Sequence, residues 1–306
     1  MDNLLLADKK ARKDKLKQPG VIEFDKNRED NFALLHEMLK NKTYKTSDYT
    51  TFTIFEPKER LVFRLPYFPD RIAHHAVMNI LEDKFVATFT ADTYSCIKGK
   101  GIHAALFSLR KALKNKEATQ YCLKMDIRKF YPSINHDTLK ALLRRKFKDN
   151  DLMSFLDEII DSADGLPIGN YLSQYLANFY LTYFDHWLKE VIGVKYYFRY
   201  ADDIVILESD KSKLHQLLSD IRIYLKDNLA LDVKANYQIF PVEARGIDFV
   251  GYVSRHGYTR LRKTIKQNYA RMMASNRNTK SIASYNGWLQ HGNCKRLKEK
   301  LTKELV

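Results

Sequence analysis

Tyr196-Tyr197-Phe198-Arg199-Tyr200-Ala201-Asp202-Asp203-Ile204-Val205-Ile206-Leu207 is the stretch whose reading decides the fold. Apolar, β-favouring residues flank two adjacent carboxylates, so it reads as a β-hairpin whose bend holds Asp202 and Asp203. A two-residue hairpin turn favours Asn-Gly or Asp-Gly, because its central residues take positive φ. Asp-Asp serves such a turn poorly, and two like charges at a bend repel each other. A divalent cation would relieve that repulsion. The stretch therefore predicts a metal-binding hairpin, and such a site needs at least one more carboxylate.

Asp126 can supply it. Tyr121-Cys122-Leu123-Lys124-Met125-Asp126 reads as a short strand ending in a carboxylate, and Pro132 stops regular structure soon after. Asp126, Asp202 and Asp203 then make a three-carboxylate constellation on two strands of one sheet. Oxygen-only ligation selects Mg²⁺, with Mn²⁺ as the alternative. Two such ions can activate an attacking hydroxyl and stabilise a leaving oxygen in phosphoryl transfer.

Working outward, residues 1–20 form a basic segment, a short helix or a solvated arm, which Pro19-Gly20 is expected to end. Residues 28–41 carry Phe32, Leu34, Leu35, Met38 and Leu39 at helical spacing. Residues 50–68 read as a hairpin, 51–55 with 61–65, turning at Glu56-Pro57-Lys58-Glu59-Arg60. A helix from about residue 70 to 85 follows, with Asp70 as its N-cap. His74 and His75 lie in it and lack a spaced ligand partner, so they read as packing residues. Ser95-Cys96-Ile97-Lys98-Gly99-Lys100-Gly101 is a basic, glycine-punctuated loop at a helix start, which suits a nucleic-acid phosphate. Helices are expected around 139–147, 152–160 and 211–228. A long buried helix from 171 to about 191 follows the turn-rich loop Gly165-Leu166-Pro167-Ile168-Gly169-Asn170. Strands are expected at 237–240, 247–253 and 258–261, with two or three basic helices over 264–304, interrupted near Asn276 and Gly292. Strands alternating irregularly with helices predict an α+β fold with an antiparallel sheet.

The composition of the 306 residues is that of a globular protein, 45% hydrophobic, and long enough for a sizeable core. A net charge of +15 points to a polyanionic partner, most simply nucleic acid. From Arg255 onward, thirteen Lys and Arg stand against Glu299 and Glu304. Charge that concentrated suits a face tracking a phosphate backbone. Cys96, Cys122 and Cys294 are scattered, which excludes a disulfide framework or a zinc site and fits a reducing compartment. No stretch approaches a membrane span, so the expected location is cytoplasmic.

At this point the sequence resembles the reverse transcriptases. Tyr200-Ala201-Asp202-Asp203 is similar to their Y-x-D-D motif, and Asp126-Ile127-Arg128-Lys129-Phe130-Tyr131 to the strand carrying the first catalytic aspartate. Gly165 to Gln174 is similar to the loop–helix motif that follows, and Phe249-Val250-Gly251-Tyr252 to the primer grip. The motifs stand in family order, and the resemblance runs from about residue 50 onward.

The resemblance implies a right-hand polymerase: a basic segment and fingers over 1–120, a palm over 121–257 with a helical fingers insertion at about 137–163, and a helical thumb over 258–306. It implies catalytic Asp126, Asp202 and Asp203 holding two Mg²⁺ ions, with the Ile127 carbonyl completing one shell. Tyr131 falls where an aromatic crowds the sugar 2′ position. Arg60 and Arg71 fall near the finger residues that clamp a triphosphate. Ile168 and Gln174 would lie against the incoming nucleotide. Lys98, Lys100, Gly251, Tyr252 and Trp288 would contact primer and template.

Most reverse transcriptases have Gln at the position of Ile168 and Ser-Pro at Ser173-Gln174. The run Ile168-Gly169-Asn170-Tyr171-Leu172-Ser173-Gln174 resembles enzymes of diversity-generating retroelements. So do the 95–101 loop and Gln238-Ile239-Phe240-Pro241-Val242. Those enzymes copy a template-repeat RNA with errors at adenines, work with a small basic accessory protein, and are encoded by bacteria or phages. An apolar Ile168 cannot hydrogen-bond the nascent pair, so one geometric check is lost. The family often carries Lys where this chain has Asn236, and Lys234 two places earlier does not match that motif. The rival expectations are a retron, group II-like or phage-defence reverse transcriptase, and a non-catalytic RNA-binding scaffold of the same fold.

Overall fold

The computed structural model describes residues 1–55, 59–275 and 278–303. The chain begins with α1 (Asp2–Ala11), α2 (Pro19–Lys26) and α3 (Arg28–Lys40), then the hairpin β1 (Thr50–Phe55) and β2 (Glu59–Arg64), then α4 (Ile72–Val86). After α5 (Ile102–Ala112) come β3 (Tyr121–Asp126), α6 (His136–Lys146), α7 (Asn150–Ile160), α8 (Tyr171–Tyr180) and α9 (Thr182–His186). The decisive hairpin is β4 (Tyr196–Tyr200) and β5 (Asp203–Glu208), followed by α10 (Lys211–Leu229), β6 (Gln238–Pro241) and α11 (Val242–Arg245). Next are β7 (Ile247–Phe249), β8 (Tyr252–Arg255), β9 (Tyr258–Leu261), α12 (Lys263–Ser275), α13 (Thr279–Gln290) and α14 (Lys295–Lys303). The expected turn at Glu56-Pro57-Lys58 and the break at Asn276 lie outside the described residues.

The chain forms two compact units. One comprises Met1–Thr90, Arg128–Asp185 and Leu225–Leu231; the other comprises Ala91–Ile127, His186–Tyr224 and Asp232–Val306.

In the first unit the N-terminal segment is no solvated arm. Leu4, Ala7 and Ala11 are buried, and α1 packs on α4. Asp8 is fully buried, and it accepts from Arg12 and Arg28 at 2.8 Å each and from the Tyr67 hydroxyl. A buried carboxylate so satisfied is costly to unpair. Pro19-Gly20 opens α2 rather than ending α1, because proline at the first helical turn lacks only an N–H that would be unbonded there. Asp70 does not cap α4 either. It is buried and accepts from the Tyr44 hydroxyl at 2.7 Å and the Ser47 amide at 3.1 Å. His74 and His75 are packing residues: burial lowers each to about 4, and His75 stacks on Tyr171. The long helix expected from 171 is interrupted after Tyr180, where the Thr182 hydroxyl bonds back to the Asn178 carbonyl.

The second unit is built on a four-stranded antiparallel sheet of order β4-β5-β3-β6. Ile204, Val205, Ile206 and Leu207 are all buried, so β5 is covered on both faces. Each such side chain contributes roughly 1.5–3 kcal/mol of burial. A core of Leu106, Leu109, Phe198, Leu207, Phe249 and Tyr269 joins the sheet to α5, the β7-β8-β9 sheet and α12. The single strand expected at 247–253 is two strands. Val250 and Gly251 take φ 43° and 87°, which turns the chain between β7 and β8.

Candidate active site

The antiparallel register sets the site. Asp126, the last residue of β3, lies directly opposite Asp203, the first of β5, and Asp203 also pairs with Tyr200 of β4. The bend is therefore Ala201-Asp202, not Asp202-Asp203. Positive φ falls on Ala201 at 55°, which costs an L-residue roughly 1 kcal/mol. The register thus places three carboxylate residues at one end of the central strands, all partly exposed.

Like charges directly opposite each other destabilise a strand pair. Lys124 answers this. Alternation puts it on the same face as Asp126, and its ammonium pairs with the Asp203 carboxylate. Burial pushes Lys124 down to about 8, against the pull of Asp126. The carboxylates are hard oxygen donors, which suits Mg²⁺. Among the described residues no group of three or more His, Cys, Asp or Glu side chains is placed to hold a metal ion as it stands. Mg²⁺ takes one or two carboxylates and keeps waters and substrate phosphates in the rest of its shell. The Asp126 carbonyl accepts the Lys234 amide at 2.8 Å, which puts the Lys234 backbone beside the site.

A second unforeseen residue holds the bend. Arg199 is fully buried, and its guanidinium donates to the Ala201 carbonyl at 3.1 Å and the Thr93 hydroxyl at 3.4 Å. Its backbone bonds Asp92 and Tyr94, both at 3.0 Å. Lys124 and Arg199 share one signal: each is a lone cation inside a strand otherwise made for burial.

The β7–β8 turn rests on α13. Gly251 is a position only glycine fits, because a Cβ there would meet the Trp288 ring at 2.5 Å and φ is 87°. The Tyr252 hydroxyl donates to the Trp288 carbonyl at 2.9 Å. Gly251→Ala is expected to cost about 2 kcal/mol or more, from strain plus overpacking. Thermal denaturation checks this, and a variant as stable as the parent would disprove the close approach. Of the two loop lysines, Lys98 is exposed, whereas Lys100 donates to the Ala91 and Thr93 carbonyls at 2.9 and 3.1 Å. Lys100 is a loop fastener in this structure.

In the first unit, several residues singled out for the nucleotide come together. The Leu166 amide donates to the Tyr131 carbonyl, and the Ile168 carbonyl accepts the Phe63 amide at 2.8 Å. A Cβ at Gly165 would strike Tyr131, and one at Gly169 would strike the Phe63 carbonyl. The 165–170 loop is thereby seated against both the 131–133 turn and β2. Arg71 and Gln174 line one cavity of about 230 Å³ with Lys10, Lys15 and His75. Burial lowers both Lys15 and Arg71, and Arg71 further lowers Lys15. The signal for Lys10 and Lys15 was the basic N-terminal run itself. Arg60 sits apart from this cavity, exposed on β2 opposite Ile54.

No helix among the described residues is long and apolar enough to cross a membrane.

The chain is similar to several known proteins. The protein YkfC of Escherichia coli K12 is 23% identical over 69% of this chain and 68% of its own length. The group II intron-encoded protein LtrA of Lactococcus lactis is 22% identical over 53% of this chain and 29% of its own. Nuclear intron maturase 4 of Arabidopsis thaliana is 23% identical over 51% of this chain and 21% of its own. The chain thus spans about two thirds of YkfC but under a third of the intron-related proteins. Among solved structures, apo telomerase of Candida tropicalis superposes with a TM-score of 0.53 at 12% identity, over 73% of this chain and 49% of that one. The same telomerase with a fragment of telomeric RNA gives 0.53 at 13% identity, over 81% and 53%. These likenesses carry the right-hand polymerase fold. The family model described as reverse transcriptase (RNA-dependent DNA polymerase) matches residues 53–253, about two thirds of the chain, and the chain belongs to that family.

Proposed function

We propose that this protein synthesises DNA on an RNA template, using a DNA or cDNA primer and deoxynucleoside triphosphates. The observation that carries this reading is the register that sets Asp126 opposite Asp203, with Asp202 in the bend between β4 and β5. Asp126 and Asp202 would hold two Mg²⁺ ions, with the Ile127 carbonyl in one shell and Asp203 beside them. Bound there, the ions supply Lewis-acid activation of the primer 3′-hydroxyl and neutralise charge on the pyrophosphate leaving group. Lys124 keeps the paired carboxylates compatible before metal binds. Lys10, Lys15 and Arg71 supply converging positive charge for the triphosphate, with Gln174 on the same wall. Tyr131 excludes a 2′-hydroxyl by bulk. Gly251 and Tyr252, seated on Trp288, position the primer strand. Primer extension on a defined RNA with Mg²⁺ tests the reading, and no extension on any RNA would defeat it.

The finer reading is error-prone copying of a template-repeat RNA for targeted gene diversification, with a small basic accessory protein. Ile168 and the Ser173-Gln174 pair support it. The similarity to LtrA and an intron maturase supports a second reading, a group II-like enzyme. Error spectra separate the two. Ile168→Gln should lower misincorporation opposite template adenine by roughly tenfold, near the upper worth of one net hydrogen bond. Sequencing of cDNA from parent and variant decides this, and identical spectra would remove Ile168 from the fidelity role.

A further inference from the structure

The second unit carries a groove that the polymerase chemistry does not use. It has a volume of about 690 Å³ and lies between the end of α5 and the β8–β9 turn. Its cations are Arg110, Lys111, Lys114, Lys116 and Arg255, and among the described residues no acidic side chain lines it. Two aromatic rings stand exposed among them: Phe107 is 55% and Tyr258 is 41% accessible. Single exposed rings are ordinary on a protein surface, but here two line one cationic groove. Arg255 and Arg260 each sit 5.7 Å from the Tyr258 ring centre.

The groove is preformed. The His256 ring, buried beneath the β8–β9 turn, bonds the Thr119 hydroxyl and carbonyl at 3.0 and 3.1 Å and Glu243 at 2.6 Å. The turn is thereby fixed to the segment that enters β3. Arg255 donates to the carbonyls of Glu243 and Arg245, which holds the same wall.

Its place in the fold separates it from the carboxylates. Lys116 precedes the start of β3, whereas Asp126 ends it, and β3 alone spans roughly 17 Å at about 3.3 Å per residue. Likewise Gly251 lies before β8 and Gly257 after it, so the groove is at the far end of that hairpin from the β7–β8 turn.

We infer that this groove binds a single-stranded segment of RNA outside the polymerase cleft, with phosphates on the lysines and bases stacked on Phe107 and Tyr258. A cationic track interleaved with exposed aromatic faces is the physical form of a single-strand site. The chemistry is shared by RNA and DNA; the choice of RNA rests on the proposed function, because a template RNA extends beyond the segment being copied. Tethering the template at a second point raises its effective concentration at the cleft.

The test fills the cleft with a short primer–template duplex and then titrates a fluorescent, unstructured oligoribonucleotide, or the matching deoxyribonucleotide, at several salt concentrations. The parent should bind the RNA oligomer, and more tightly than the DNA one. K111E/K114E/K116E should weaken binding at least tenfold and reduce the salt slope by about 2, at roughly 0.7 per single-strand phosphate contact. F107A/Y258A should weaken binding roughly fivefold or more with the slope unchanged. Extension of the short duplex should stay within about twofold in both. Lys→Gln at the three positions serves if reversed charge perturbs folding. No further RNA binding by the filled parent, parental affinity in the variants, or a parallel loss of duplex extension would overturn the inference. Equal affinity for the DNA oligomer would overturn the assignment to RNA. A parent that binds through the groove yet extends no primer would defeat the polymerase reading and leave this one standing.

Discussion

Asp202→Ala is expected to abolish Mg²⁺-dependent primer extension, with a loss of roughly 10³-fold or more. That corresponds to several kcal/mol of transition-state charge stabilisation withdrawn from the reacting phosphate. Asp202 lies in the two-residue bend, not in a strand, so its removal breaks no ladder bond. A second readout separates metal binding from turnover. Mg²⁺ that binds only the folded state raises the melting temperature with concentration. The parent should show that rise, and Asp202→Ala should show a smaller one or none. A variant that extends primers like the parent would show that the carboxylates at this sheet end are not the metal ligands.

Much of this site was legible in the sequence because its logic is local. Period and composition announce β4 and β5, and two acids between apolar strands are hard to explain as a turn alone. Asp126 is legible for the same reason, as a carboxylate at a strand end. The structure adds register, which no local pattern carries: that Asp126 faces Asp203 depends on how β3 and β5 slide.

The misread elements share a cause. Asp70 looks like a helix cap until Tyr44 and Ser47, more than twenty residues away, are seen to occupy it. The strand at 247–253 looks continuous because Val250 is a strong β-former. It is bent because Trp288 packs over Gly251, far away in sequence. In each case a distant partner overrides a local preference. The same holds for the N-terminal segment, whose positive charge hides the apolar stripe of Leu4, Ala7 and Ala11. Its lysines then reappear on the wall of the Arg71 cavity.

Two cations in the carboxylate-bearing unit illustrate how a polar group gains meaning only in context. Lys124 offsets the repulsion between carboxylates that the register forces together. Gln at that position would keep much of the shape without the charge and leave Asp126 and Asp203 dependent on a bound cation. Arg199 does something different. It holds the backbone on which Asp202 is carried.

Arg199→Ala should therefore destabilise the protein by about 3–5 kcal/mol and reduce activity well below its melting range. The stability loss has two sources. One of the largest fully buried side chains is removed, leaving a cavity the sheet cannot collapse to fill. The Ala201 carbonyl also loses a charge-assisted donor in a place water does not reach. The activity loss follows from the bend. Ala201 sits in the left-handed region at a cost its surroundings must impose, and the Arg199 guanidinium is one constraint that does so. Without it Ala201 can relax, and Asp202 moves with it. Arg199→Lys should recover only part of both losses, because an ammonium lacks the planar fork that reaches Ala201 and Thr93 together. Thermal melts and single-turnover extension rates, measured on both variants with and without Mg²⁺, decide the matter. If Arg199→Ala melts within about 2 °C of the parent, the guanidinium does not brace the bend. If it melts low but extends normally in the cold, the brace serves the fold alone and not the placement of Asp202.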